Sequence, residues 1–332
     1  MGRRESLVKQ DINFLEYPLW FPFQDLAERK GEGWVYETRD GFIYKSSYKI
    51  PTRIDVLFLM YFLYQSQRKG WKEEVNVSRY QILKDCGIAI GGNKYERLKD
   101  SLKRWTSITV IFEGTFYDGK KYISMGFHVI DSYKIRENGT IEVKFNSDWL
   151  LKIKESLFYK YLDFNTYKKL SHAEALRLYE ILCKTFKNRK KWEIDAVKLA
   201  QKIPLTGNAL KYPSKAVEKI EPLVKRINKD TPLKVRMRKK RLGRGKIVLL
   251  FQRLSEEEYE EYEAELEMER LCGEWIFELG SVKRRVKIYR GEDGTYYWEE
   301  GKLRPEVFER NATEAYRRIR VLIEIGKLKK EW

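Results

Sequence analysis

The chain of 332 residues has two histidines, His128 and His172, and three cysteines, Cys86, Cys183 and Cys272. The cysteines are scattered and odd in number, and they form neither a CxxC pair nor a disulfide framework, so a reduced, cytosolic chain is the simple expectation. Neither histidine has a metal ligand at short spacing, which argues against a zinc site or a His–His nuclease site. His128 lies in an apolar strand and His172 in the first turn of a helix, and both suit structural roles. No GxxxxGK[ST] sequence occurs, which disfavours an intrinsic ATPase. Gly91-Gly92-Asn93-Lys94 is a weak phosphate-loop lookalike and is better explained as the turn of a helix-turn-helix. Tyrosine is plentiful, but a tyrosine nickase also needs a metal cluster to activate the phosphodiester, and no such cluster is apparent. The most apolar run, Leu57 to Tyr64, falls well short of the ~20 residues that span a bilayer. The start, MGRRESLVKQDI, lacks the apolar stretch of a signal peptide and is a poor myristoylation sequence. No cofactor is expected. Lys, Arg and Glu are abundant while Gln is sparse, a composition shared with proteins from hot environments.

What the chain does have is positive charge. Its 67 Lys and Arg against 49 Asp and Glu give a net charge of +18 and a pI of about 9.5. That predicts attraction to nucleic acid or, less well, to an anionic membrane. The charge is densest in Thr231 to Arg253, TPLKVRMRKKRLGRGKIVLLFQR, where no acidic residue occurs. Val235 and Met237 alternate with basic residues, Ile247 to Phe251 form an apolar strand, and Gly243 and Gly245 turn the chain between them. A hairpin tip carrying only positive charge repels itself unless a polyanion lies against it. Placed after a basic helix, it resembles the wing of a winged-helix domain.

The pattern predicts an α+β fold with two tandem winged-helix domains and a small C-terminal α+β extension. The expected divisions are an N-terminal arm (1–48), a first winged helix (49–155), a second (156–253) and an acidic helix with a small unit (254–332). In the arm, the aromatic and proline run Tyr17 to Phe23 should lie across another surface as core cover. In the first winged helix, Thr52 opens a helix through Gln67, Ser78 caps a second over Arg79–Cys86, and a third covers Asn93 to Thr106. Thr109–Phe116, Lys121–Ile130 and Thr140–Phe145 read as strands. The order then repeats. Ser171 and Glu174 form a capping box, with helices through Phe186, over Ile194–Ile203 and over Ser214–Lys229, while Pro204, Gly207 and Pro213 punctuate the loop. The glutamates from Glu256 to Glu269 mark an acidic helix, either a solvated face or a shield for the basic wing when DNA is absent. Val282–Tyr289 and Thr295–Trp298 read as strands, and Thr313–Ile325 as a last helix.

The basic residues on these elements are the candidate DNA contacts. The third helix of the second repeat buries Val217, Ile220, Val224 and Ile227, leaving Lys211, Lys215, Lys219, Arg226 and Lys229 outward. The wing adds Arg236, Arg238, Lys239, Lys240, Arg241, Arg244 and Lys246. The third helix of the first repeat buries Tyr95, Leu98, Leu102 and Trp105, which places Asn93, Lys94, Arg97 and Arg104 toward DNA, where Arg can pair with guanine and Asn with adenine. Alternatively, Asp100 holds Arg97 or Arg104 in an ordinary helix salt bridge. Lys120 and Lys121 at the first wing's turn are candidate phosphate contacts.

Leu176-Arg177-Leu178-Tyr179-Glu180, the run Ile220 to Lys229, and the wing segments Leu233-Lys234-Val235, Gly245-Lys246-Ile247 and Phe251 together resemble the plasmid replication initiators with tandem winged-helix domains. Ser6 to Ile12 with Pro22-Phe23 is similar to the replication initiator protein A branch. The resemblance covers residues 6 to 253, and the tail has no counterpart. It implies a cytoplasmic, plasmid-associated DNA-binding protein rather than an enzyme. Such a protein binds direct repeats (iterons) of an origin as double-stranded DNA, opens an AT-rich region and recruits the host initiator and helicase. Dimers of such proteins commonly repress their own promoter. A transcriptional regulator with the same DNA-binding parts, or a nickase or primase, remain alternatives at this stage.

Overall fold

The computed structural model describes residues 6–23, 34–243, 245–301 and 304–331. The segment expected to be an extended arm is folded. It holds strand β1 (Leu7–Asp11), a short helix α1 (Ile12–Glu16), and the hairpin β2 (Trp34–Glu37) and β3 (Phe42–Ser46). Asp11 caps α1 by accepting from the Asn13 amide at 2.7 Å. Leu19, Trp20 and Phe21 are buried, and Tyr17 stacks on Phe42 with ring centres 4.6 Å apart.

The first repeat runs α2 (Arg53–Arg68), β4 (Glu74–Ser78), α3 (Arg79–Asp85), α4 (Gly92–Thr106), β5 (Ile108–Glu113), β6 (Ser124–His128), β7 (Ile130–Ile135) and β8 (Thr140–Phe145). A capping box between Thr52 and Asp55 starts α2. Every residue from Asp55 to Tyr64 is buried, so this helix is the axle of the domain and not a one-sided surface helix. The three-stranded sheet has the order β4-β8-β7. Strands β5 and β6 belong instead to a separate four-stranded sheet, β2-β3-β5-β6. This corrects the sequence expectation, which took β5 and β6 as the wing. The sequence expectation ended its second strand at Ile130 and assigned none over 131–135, where β7 lies.

A linker of α5 (Ser147–Glu155), β9 (Tyr159–Asp163) and α6 (Phe164–Lys169) leads to the second repeat. That repeat comprises α7 (Ala173–Thr185), β10 (Lys191–Asp195), α8 (Ala196–Lys202), a 3-10 turn at Gly207–Leu210, α9 (Pro213–Asp230), β11 (Lys234–Arg241) and β12 (Ile247–Leu254). Its sheet order, β10-β12-β11, matches the first repeat strand for strand. In both, the strand before the second helix pairs with the second strand of the hairpin, so the two repeats are winged helices of one topology. Three local expectations change. The capping box at Ser171 does not form, because His172 is the N-cap residue and α7 has no side-chain cap. Residues 194–195 end β10, and Asp195 caps α8 by accepting from Val197 and Lys198. Pro213 is the first residue of α9, where its missing N–H costs nothing.

Residues 1–252 form one compact unit and 253–332 another. The second unit has α10 (Glu256–Leu271), opened by a Ser255–Glu258 capping box, the strands β13 (Gly273–Leu279), β14 (Val282–Arg290), β15 (Tyr296–Glu300) and β16 (Glu306–Glu309), then α11 (Ala312–Glu324) and β17 (Leu328–Lys330). The strand order is β16-β15-β14-β13-β17. Met268, Trp275, Val286, Ile288, Tyr296 and Ile319 fill its core.

Within the first unit, the N-terminal segment binds the two repeats together. β1 pairs antiparallel with β9, from Leu7 opposite Asp163 to Asp11 opposite Tyr159. The Glu16 carboxylate takes ion pairs from both Lys184 on α7 and Lys202 on α8. Burial alone would raise its pKa, but the two ammonium groups outweigh it and hold the carboxyl at about 2. A carboxyl whose folded pKa lies below its unfolded value stabilises the fold above the unfolded pKa and loses that contribution as pH falls through the folded one. In urea melts taken from about pH 5 down to about pH 2, the native chain should lose more stability than Glu16→Gln, which has no group to titrate; equal losses would show that the two lysines do not bind the carboxylate.

Candidate nucleic-acid interface

In the second repeat, α9 buries Ala216, Val217, Ile220, Leu223, Val224 and Ile227 and exposes Lys215, Lys219, Lys225, Arg226 and Lys229, with Lys211 exposed just before it. Lys225 belongs to this outward set although the sequence reading omitted it. Pro222 lies on the exposed side, where water can take the carbonyl its ring leaves without an N–H partner. Lys215 pairs with Glu218 at 2.7 Å. The wing is fastened to this helix. The Asn228 side chain accepts from the Val235 amide and donates to the Val235 carbonyl, each at 2.8 Å, and Lys239 reaches Glu221 at 3.4 Å.

Along β11 the side chains alternate between core and solvent only as far as Met237. Arg238, Lys239, Lys240 and Arg241 are then all exposed, as is Lys246 beyond the turn. Arg236 is half-buried, and Arg244 lies outside the described residues. Gly243 and Gly245 take φ values of 75° and 76°, which a side chain would oppose.

The first repeat is built differently. Its α4 buries Leu98, Leu102 and Trp105, but Arg97 and Arg104 turn inward instead of facing outward. Arg97 donates to the fully buried Asp55 at 2.6 Å and to Thr52 at 3.2 Å. Arg104, 5% exposed, donates to Asp100 at 2.8 Å and to the Ile50 carbonyl at 2.8 Å, and lies 3.7 Å from Asp55. Burial would raise the Asp100 pKa, but the Arg104 guanidinium overrides it and holds the carboxyl below its usual range. The two arginines therefore clamp α4 onto the start of α2. The outward face of α4 consists of Asn93, Lys94, Glu96, Lys99 and Lys103. The sequence wheel missed Lys99 and Lys103 because it could not see Asp55, which decides which edge of the polar face turns inward.

The first wing is β7–β8, with Arg136, Glu137, Asn138 and Gly139 at its tip. It is nearly neutral, since Glu142 pairs with Arg136 and lies 3.9 Å from Lys134. Lys120 and Lys121 are exposed but sit on the β5–β6 connection rather than on this wing. That connection docks at Tyr117 against Asn13 and Phe158. Residues 171–252 carry 22 Lys and Arg against 7 Asp and Glu, whereas residues 49–155 carry 19 against 13. The second repeat thus holds most of the unbalanced charge.

Among the described residues no group of three His, Cys, Asp or Glu is placed to hold a metal ion, and no helix is long and apolar enough to cross a membrane. His128 Nδ1 lies 3.1 Å from the Ile108 carbonyl, and burial pushes the His172 imidazole below its ordinary value.

Two winged helices of one topology, each presenting a basic third helix, define a tandem winged-helix protein. The chain belongs to the replication initiator protein A family, whose profile matches residues 22–223. No curated protein matches it. Two crystal structures of domains 2 and 3 of RctB are similar in shape. One has 13% identity and a TM-score of 0.46, covering 70% of this chain and 94% of that one. The other has 12% identity and a TM-score of 0.44, covering 71% and 95%.

The arginine clamp generates a stability prediction. Arg104→Ala leaves buried Asp55 short of a cation and should destabilise the chain by about 2–4 kcal/mol in urea melts. Lys103→Ala, one residue away on the exposed face, should stay within about 0.5 kcal/mol. Similar losses for the two variants would refute the inward placement.

Proposed function

We propose that this protein is an origin-binding replication initiator that recognises direct repeats in double-stranded DNA through both winged helices at once. One observation carries the reading: a single compact unit holds two winged helices of the same topology but unequal surfaces. Two different heads in fixed order match an asymmetric site, and asymmetric sites repeat head to tail more naturally than they pair as palindromes. Opening of an adjacent AT-rich region, recruitment of host replication proteins and a plasmid-type origin in the cytoplasm complete the reading, supported by membership of the initiator family. The protein acts here by binding, not as an enzyme.

The second repeat supplies most of the phosphate contact in this scheme, through Lys211, Lys215, Lys219, Arg226, Lys229 and the wing from Arg238 to Lys246. If six or more phosphates are engaged, affinity falls by about 10³ between 50 and 200 mM salt. Lys240→Ala and Arg241→Ala should each weaken every sequence alike and reduce the salt slope by about one. Footprinting on DNA flanking the protein's own gene, with magnesium present and nicking scored on the same gel, tests the whole reading. Evenly spaced direct repeats protected without nicking are expected. A lone palindrome at the promoter would favour a regulator, and a site-specific nick would make the protein an enzyme.

A further inference from the structure

Both winged helices expose an apolar side chain within two residues of the start of the third helix. In the first repeat it is Ile90, two residues ahead of α4 and 50% exposed. In the second it is Tyr212, the N-cap residue of α9 and 56% exposed. A single exposed apolar residue needs no explanation, but one beside the start of the third helix in each repeat is a pattern. Most other large apolar residues of the second and third helices, among them Ile82, Leu83, Leu98, Leu102, Leu199 and Ile220, are buried, with Tyr80 on the second helix of the first repeat a further exposed one.

The surroundings suit a polyanion. No acidic residue occurs from Ile88 to Tyr95 or from Thr206 to Val217, while Asn93, Lys94, Lys211 and Lys215 are exposed beside the two apolar groups. The end of α4 is also bare. Gly91 and Gly92 have neither a left-handed backbone nor any neighbour that an added Cβ would meet, so nothing inside the protein calls for glycine there. Glycine at such a place leaves room for a surface approaching from outside.

The N-terminal end of the third helix is the end that enters the major groove. Of the four bases, thymine alone presents an apolar group there, its C5 methyl. We propose that Ile90 and Tyr212 are specificity residues that each recognise a thymine by packing against that methyl group. The inference rests on the DNA-binding reading above and adds to it the chemistry by which each repeat selects a base.

The test uses the full chain and a pool of random duplexes. Selection for binding yields the preferred site, and each thymine in that site is then replaced singly by uracil, which differs only in lacking the methyl. For the native chain, at least one replacement under each repeat should weaken binding by about threefold to tenfold, the scale of one buried methyl. Ile90→Ser should abolish the effect at one position and Tyr212→Ala at another, each leaving the other position sensitive. Ile90→Val and Tyr212→Phe, which keep an apolar surface, should retain both effects. If uracil is neutral at every position, or if the sensitivities survive in Ile90→Ser and Tyr212→Ala, the inference is wrong while the DNA-binding reading stands. A pool that yields no enriched site removes sequence-specific recognition itself, and this inference with it.

Discussion

The Glu180 carboxylate holds the first unit together. It is almost completely buried and accepts from three directions: Trp20 Nε1 in the N-terminal segment (3.2 Å), the Tyr167 hydroxyl in the linker (2.7 Å) and Arg177 one turn earlier on its own helix (2.9 Å). Arg177, wholly buried, also donates to the Glu16 carbonyl at 3.0 Å. Burial and then the Glu180 charge push the Tyr167 hydroxyl well above its ordinary pKa, so it remains a donor. A buried carboxylate stripped of such partners costs several kcal/mol. The N-terminal segment, the linker and the first helix of the second repeat must therefore all be in place, or none is stable alone. Arg53, at the start of the first repeat's opening helix, adds bonds to the Tyr167 and Leu170 carbonyls, so the first repeat is fixed to the same hub.

Given that frame, the two repeats differ in how they spend their arginines and lysines. The first repeat turns Arg97 and Arg104 into its interior and balances its wing with Glu142. The second keeps its interior charge to the Arg177–Glu180 pair and leaves the third helix and wing unbalanced. One architecture thus presents one weakly basic head with a nearly neutral wing and one strongly basic head. In the proposed DNA complex, holding both heads in one unit puts the weaker at the high local concentration set by the stronger, so modest contacts suffice there.

The sequence carries the architecture well where local signals are strong. Helix starts at Thr52, Ser78 and Ser255, the glycine turn of the basic wing and the apolar stripe of the helix from Pro213 were all legible from spacing and capping residues. The extra four-stranded sheet was not, because its strands lie far apart in sequence and half of it falls in a segment rich in proline and aromatic residues that imitates an irregular arm. Tertiary partners decided the rest. Asp55 drew two arginines inward, and Arg136 with its neighbours became the first wing because the strand that follows them pairs with the one before the second helix. On the candidate interface, the basic second repeat was readable from charge alone, since its 22 Lys and Arg far outnumber its 7 Asp and Glu. The face of the first repeat was not.

The pairing of the strand at Leu7–Asp11 with the strand at Tyr159–Asp163 also constrains how the chain can be made. Residues 7–11 find these strand partners only after about 150 further residues have been added. At ~5–20 residues per second that is a wait of roughly 10–30 s. Meanwhile Trp20, which is buried in the finished molecule, lacks the Glu180 carboxylate that its indole N–H bonds. Closure over such sequence distances is slow. The growing chain therefore passes through a stage in which its first repeat can form while Trp20 and the strand at Leu7–Asp11 still lack their later partners.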